Sequence, residues 1–264
     1  MPREHGAWGM LLLPFVAGIV LGGRWTGPVF IALAAVFLAF VIREPLTVLA
    51  RQRWVWRERK PEAETAIRAL AWQAPVLVCC GVYLWMRLPH GPLLALGLGG
   101  SVLTGTAVWM AVHNRTRSLP LQLVSAFALA STALLAALAT TEGLPFWSWQ
   151  LWALMSLHSA IGVLTVHARL EHRLSTRKGG PARASGVAML GVGLLAAAAL
   201  GAWRFGLPAY PLPLVFSATM AAAELIRLRR ITDEAFTRVG VRMLLVSLVH
   251  MALVVGVLWP PSTA

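Results

Sequence analysis

The sequence predicts an all-α membrane protein of nine transmembrane helices, N-terminus in and C-terminus out, and three observations support this. The first is composition. Of 264 residues, 58% are hydrophobic and 12% charged, where soluble domains are roughly a quarter charged. A water-soluble fold cannot hide that much apolar surface, so much of it must face lipid. The second is that the apolar residues gather into nine runs. The third is that the basic residues gather between those runs, almost all on one side. The alternating ten-residue strands of a membrane β-barrel do not occur in the pattern.

The first run, about Trp8–Gly23, follows Arg3, Glu4 and His5. No small-residue cleavage site follows it, so it reads as a retained helix rather than a removed signal. Pro14 should kink it, and the carbonyl freed by the missing N–H needs a partner from a neighbouring helix. The second run is Pro28–Ile42. After it comes IREPLTVLARQRWVWRERKPEAETAIR (Ile42–Arg68), which carries Arg43, Arg51, Arg53, Arg57, Arg59, Lys60 and Arg68. So dense a basic block is hard to pull across a bilayer and should stay in the cytoplasm, fixing the orientation of the rest. The next runs are Leu70–Met86, Pro92–Val112, Leu121–Ala139 and Trp147–Val166, and the last are Ala184–Trp203, Pro208–Ile226 and Val239–Trp259. Several fall short of the roughly 20 residues of an ideal span, so their helices should extend into flanking polar residues. All nine belong to one polytopic membrane domain, residues 1–264.

Orientation follows from counting. Of the 23 lysines and arginines, Arg24, Arg87 and Arg204 alone fall at the outer ends. One helix miscounted early would swap every later loop and destroy the asymmetry. Trp25, Trp85, Trp147, Trp149, Trp203 and Trp259 fall near outer ends, and Trp8, Trp54, Trp56, Trp72 and Trp109 toward inner ends. Interfacial depth suits these amphipathic rings. Small residues, as in Leu94–Gly105 and Leu190–Ala202, let helices approach closely where lipid removes the hydrophobic drive between them. A net charge of +13 would suit nucleic acid, but basic residues confined to short loops suit anionic cytoplasmic lipid better. Nucleic acid is not expected as a partner. Cys79 and Cys80, adjacent in an apolar run, read as small packing residues.

Polar groups collect at the cytoplasmic ends. Arg43 and Glu44 end the second run. His113, Asn114, Arg115 and Arg117 follow the fourth, and His167, Arg169, Glu171, His172 and Arg173 follow the sixth. Glu224 and Arg227 end the eighth. Gathered round one mouth over an apolar cavity, they would suit an amphiphile with an anionic head at the basic rim. They equally suit solvated loop charges that hold topology. His158 and His250 fall mid-run, where an ionisable group is a functional candidate. A proton relay, haem ligation, or an interior histidine bonded to a neighbouring serine all remain open. His167 and Glu171 share a helical face, a spacing that could ligate a metal, but no third ligand converges on them, and none is expected.

The opening PREHGAWGMLLLPFVAGIVLG, with IREPLTVLAR at the second helix end, resembles the YwiC-like family of bacterial integral membrane proteins. That layout in turn is similar, more distantly, to the UbiA-type prenyltransferase superfamily: nine helices, N-terminus inside, functional loops after helices two, four and six. RTRSLPLQLV (Arg115–Val124) is similar to the superfamily segment in which a basic residue contacts the prenyl diphosphate, and Arg115 or Arg117 matches that residue. The resemblance implies a UbiA-like bundle in the bacterial inner membrane, with a membrane lipid or isoprenoid diphosphate as partner. The superfamily's two aspartate-rich, Mg²⁺-holding motifs are replaced here by Glu44 and Glu171 among arginines. The single aspartate, Asp233, lies in another loop. Arginines would then replace Mg²⁺ as counter-charge, and no cofactor is expected. The expectation is a binder of an isoprenoid or other amphiphile, in effect a degenerate prenyltransferase. Its anion would sit on Arg43, Arg115, Arg117 and Arg173, oriented by Glu44 and Glu171. The alternatives are a small transporter, with His158 and His250 on its route, or a non-catalytic assembly subunit.

Overall fold

The computed structural model describes residues 5–57, 61–113, 118–178, 183–230 and 236–259. Among them, eight helical stretches are long and apolar enough to cross a membrane: Gly27–Val55, Glu62–Arg87, His90–Val112, Leu119–Thr141, Phe146–Arg173, Ser185–Arg204, Pro211–Leu228 and Thr237–Leu258. A shorter apolar helix, Ala7–Gly22, precedes them. These segments coincide with the nine runs of the sequence. This is an all-α, multi-pass membrane protein.

The helices are α1 (His5–Gly22), α2 (Gly27–Val41), α3 (Arg43–Arg51), α4 (Glu62–Arg87), α5 (His90–Val112) and α6 (Leu119–Ala130). After them come α7 (Thr132–Thr141), α8 (Phe146–Lys178), α9 (Arg183–Arg204), α10 (Pro211–Arg230) and α11 (Phe236–Leu258). Two spans are bent rather than straight. The second breaks at Ile42 and resumes as α3, where Pro45 sits in the first turn and so loses no helical bond. A π-helical turn, Gln52–Trp56, ends it at Arg57, whose φ of 53° is left-handed. The fifth span breaks between α6 and α7 at Ser131, whose hydroxyl donates to the Ala128 carbonyl at 2.6 Å.

Helix ends reach into polar sequence, as the short runs require. α4 begins at Glu62, two turns before the apolar run, and α8 continues past Val166 to Lys178. With 33 residues, α8 is about 50 Å long at 1.5 Å per residue, well beyond the ~30 Å hydrocarbon layer.

Two apolar cores share a wall made of α1 and α7. On one side Leu11, Phe15 and Ile19 of α1 pack with Val29, Val36 and Phe40 of α2 and Leu84 of α4. On the other, Ala17 and Leu21 pack with Leu151 and Leu154 of α8, Leu214 of α10 and Val254 of α11. The wall is thin because its residues are small. A Cβ on Gly18 would lie 2.8 Å from Ala136 Cβ and 2.9 Å from the Ala133 carbonyl oxygen, so the close approach of α1 to α7 requires glycine there. Thr132 of α7 donates to the Leu11 carbonyl at 2.8 Å, one residue from the carbonyl that Pro14 leaves without its helical donor.

Outward faces carry exposed apolar side chains, among them Val78, Val82, Leu98, Val102, Leu190 and Leu194. Trp25, Trp54, Trp109, Trp203 and Trp259 are exposed near helix ends, Trp72 is exposed well inside α4, and Trp147 is buried in the core. Cys80 is buried, Cys79 is exposed, and both are free thiols.

Candidate functional site: a polar cavity between α8, α10 and α11

Three helices turn polar residues toward one another. α8 contributes His158, Thr165 and Arg169; α10 contributes Ser217, Glu224 and Arg227; α11 contributes Arg242, Ser247 and His250. On α8 and α10 these positions recur at steps of three, four and seven residues, which places them on one face, and on α11 Ser247 and His250 stand three apart. Between the helices lies a cavity of about 640 Å³, walled by Ile161, Met220, Ala221, Met243 and Val246 and lined also by His158, Ser217, Glu224, Arg227 and Arg242.

At one end the charges interlock. Glu224 accepts from Arg169 Nη2 at 3.3 Å and from Arg242 Nη2 at 2.8 Å, and Arg242 Nε bonds its second oxygen. Arg169 is 3% exposed, and a guanidinium so buried needs a carboxylate to stay there. The carboxylate thereby joins α8, α10 and α11. Arg227 stands on the cavity wall beside it.

At the other end, about 10 Å deeper by the rise from Glu224 to Ser217 along α10, the two mid-span histidines meet. Their rings stack face to face, centroids 4.0 Å apart and planes 8° from parallel. His158 Nδ1 lies 3.0 Å from Ser217 Oγ, which lies 3.2 Å from His250 Nδ1. His158 Nε2 lies 3.1 Å from Ser247 Oγ, and that hydroxyl is 2.9 Å from the Met243 carbonyl. His250 Nε2 is buried, and the Leu154 carbonyl approaches it without reaching ordinary hydrogen-bond geometry. Imidazoles stacked this way, with nitrogens aimed at serines, are not opposed across a gap that would hold a haem. Beyond them Leu151, Leu154, Leu214, Val254 and Leu258 are buried and close the bundle.

Of the residues marked in the sequence, the structure brings together His158 and His250. Arg43 is half-buried on α3 with its guanidinium 5.3 Å from the Phe40 ring centroid, and Glu44 beside it is exposed. His113 is exposed, its ring against Trp109 and its Nδ1 2.8 Å from the Trp109 carbonyl. Asn114, Arg115 and Arg117 lie outside the described residues. His167, Glu171 and Arg173 are half-buried on the extension of α8. Arg43 therefore sits with α2 to α5 and Arg173 with α8, on opposite sides of the α1–α7 wall. Sequence reasoning groups Arg169 and Glu224 with the polar residues expected round one cytoplasmic mouth and counts Arg242 only among the basic residues of that side. The signal for the role of the two arginines was Glu224, a carboxylate at a span end that needs cationic partners.

The family model described as YwiC-like protein matches residues 1–137. The chain belongs to the YwiC-like family. A stretch of 55 residues is 38% identical to the protein named Uncharacterized protein YwiC of Bacillus subtilis (strain 168), over 20% of this chain and 22% of that relative. The chain thus matches about a fifth of the length of this YwiC relative. No solved structure matches. The YwiC-like match ends at Ala137 in α7, and the residues lining the cavity all lie C-terminal to it.

Proposed function

We propose that this member of the YwiC-like family is a binding protein of the bacterial inner membrane that holds an anionic amphiphile in the α8–α10–α11 cavity. The head group would sit at the end bearing Arg169, Arg227 and Arg242, facing the cytoplasm. The hydrocarbon would lie along Ile161, Met220 and Val246. The observation that carries this reading is a cavity with Arg227, Arg242 and Glu224 at one end and Ile161, Met220, Ala221, Met243 and Val246 along its walls, with Leu151, Leu154 and Leu214 buried beyond His158. About 640 Å³ is within the usual range of roughly 300–1,000 Å³ for ligand sites. A cation about 4 Å from an anion contributes roughly 4 kcal/mol at an effective dielectric constant of 20, so the guanidiniums of Arg227 and Arg242 on the cavity wall would favour an anionic head group. The likeness to the UbiA-type superfamily makes isoprenoid diphosphates the first ligands to try. Prenyl transfer is not part of the proposal, because a chain with the single aspartate Asp233 lacks the paired aspartates such a Mg²⁺ site needs.

Native mass spectrometry of the protein purified in mild detergent should find an anionic lipid or isoprenoid retained. Saturating farnesyl diphosphate should raise the melting temperature by several degrees, as ligand at 100 times its Kd adds about 2.7 kcal/mol, and Arg227→Ala should remove most of that rise. Recovery of no anionic lipid, together with an unmoved melting temperature, would refute the proposal.

A further inference from the structure

Ser247, His158, Ser217 and His250 form one unbroken hydrogen-bonded chain, with links of 3.1, 3.0 and 3.2 Å. His158 and Ser217 line the cavity, whereas His250 is 1% exposed behind them. With both rings neutral the chain has two complete orderings. In one, His250 Nδ1–H donates to Ser217, Ser217 to His158 Nδ1, His158 Nε2–H to Ser247, and Ser247 to the Met243 carbonyl. That ordering leaves His250 Nε2 as a bare lone pair. In the other, Ser247 donates to His158 Nε2 instead of the Met243 carbonyl, His158 Nδ1–H donates to Ser217, Ser217 donates to His250 Nδ1, and His250 Nε2–H turns toward Leu154. The same chain can also take one added proton. With His158 doubly protonated, its two N–H groups reach Ser247 and Ser217, Ser217 donates to His250 Nδ1, and His250 Nε2–H faces Leu154. With His250 doubly protonated instead, the Ser217 hydroxyl simply points the other way. A single hydroxyl therefore passes the charge between two rings stacked at 4.0 Å, and in either form two of the three N–H groups meet serine hydroxyls while His250 Nε2–H faces Leu154.

Resting on the reading of the cavity as an anion site, we propose that the His158–Ser217–His250 chain is a one-proton acceptor. It loads when an anion enters, so ligand and proton bind together. The proton comes from water through the cavity, reaches His158 first, and is shared with His250 through Ser217. The charged groups facing the chain are Arg169 on α8, Glu224 and Arg227 on α10, and Arg242 on α11. α1, α6 and α7 bring no titratable side chain to this depth, and α9 carries only Arg183 and Arg204 at its ends. The competing proton acceptor is therefore Glu224.

The test uses octyl sulfonate, an anionic amphiphile that does not itself titrate near neutrality. Its binding to the full-length protein in neutral-lipid nanodiscs is measured by calorimetry in buffers of different ionisation heat. Uptake close to one proton per probe, with affinity rising up to tenfold per unit fall in pH, is the expected result. His158→Gln should still bind the probe, but with uptake near zero and a flat pH profile. Binding to the wild-type protein without proton uptake would overturn the proposal, whether or not the variant folds. Undiminished uptake by His158→Gln would also overturn it, and would assign the proton to Glu224. A probe that fails to bind at any pH would overturn the anion site itself.

Discussion

At the scale of the residue, the carboxylate of Glu224 does more than any other group in the described chain to hold charge inside the bundle. It faces two guanidiniums from two other helices, one of them almost fully buried. Replacing it with glutamine keeps the shape and removes the counter-charge. Glu224→Gln should therefore cost about 3 kcal/mol, the usual consequence of breaking a buried pair, read as a lower melting temperature in detergent. Glu64→Gln, which breaks the exposed Glu64–Arg68 pair at 3.6 Å, should leave that temperature where it was. Which residues are unusual was legible from the chain alone: His158 and His250 interrupt apolar runs, and Glu224 ends one. That the histidines touch was not, because they lie on the sixth and ninth spans and only packing brings those side by side. The serines that join them looked like ordinary small residues.

At the scale of the element, span positions followed directly from hydropathy, because lipid forces every backbone group in a span to find its partner within the helix. Bends, overhangs and the π-helical turn did not. They answer to local events: Ser131 bonding back to Ala128, Arg51 donating twice to the Ala111 carbonyl at 3.2 and 2.9 Å, polar residues continuing α8. The α1–α7 contact is the most exacting of these. Gly18→Ala should cost about 1–3 kcal/mol, since the added methyl meets backbone and a neighbouring Cβ that cannot turn aside, and Gly18→Leu should prevent accumulation of folded protein. Thr132→Val, which deletes the bond to the Leu11 carbonyl, should cost about 1 kcal/mol. Both are read by thermal unfolding. A Gly18→Ala protein as stable as the parent would mean that α1 and α7 stand further apart.

At the scale of the whole molecule, the distribution of charge makes a topological prediction. In a variant with Cys79 and Cys80 replaced by alanine, a cysteine at Pro208 between α9 and α10 should react with a membrane-impermeant maleimide on intact cells. A cysteine at Thr65, near the start of α4, should react only after permeabilisation. The opposite pattern would reverse the orientation, and with it the side from which the cavity fills. The expectation of one mouth ringed by Arg43, Arg115 and Arg173 pictures the bundle as a single hollow ring, and Arg115 lies outside the described residues. Among those residues α1 and α7 stand between two apolar cores, and the close approach of Gly18 to Ala133 and Ala136 that joins them leaves no mark in hydropathy. That wall also bears on how the protein is made. α1 leaves the ribosome before α8, α10 and α11, yet Ala17 and Leu21 are covered by those later helices. That small-residue flank must wait in the bilayer against lipid until they arrive, whereas α2, α4 and α7 can already cover the opposite flank.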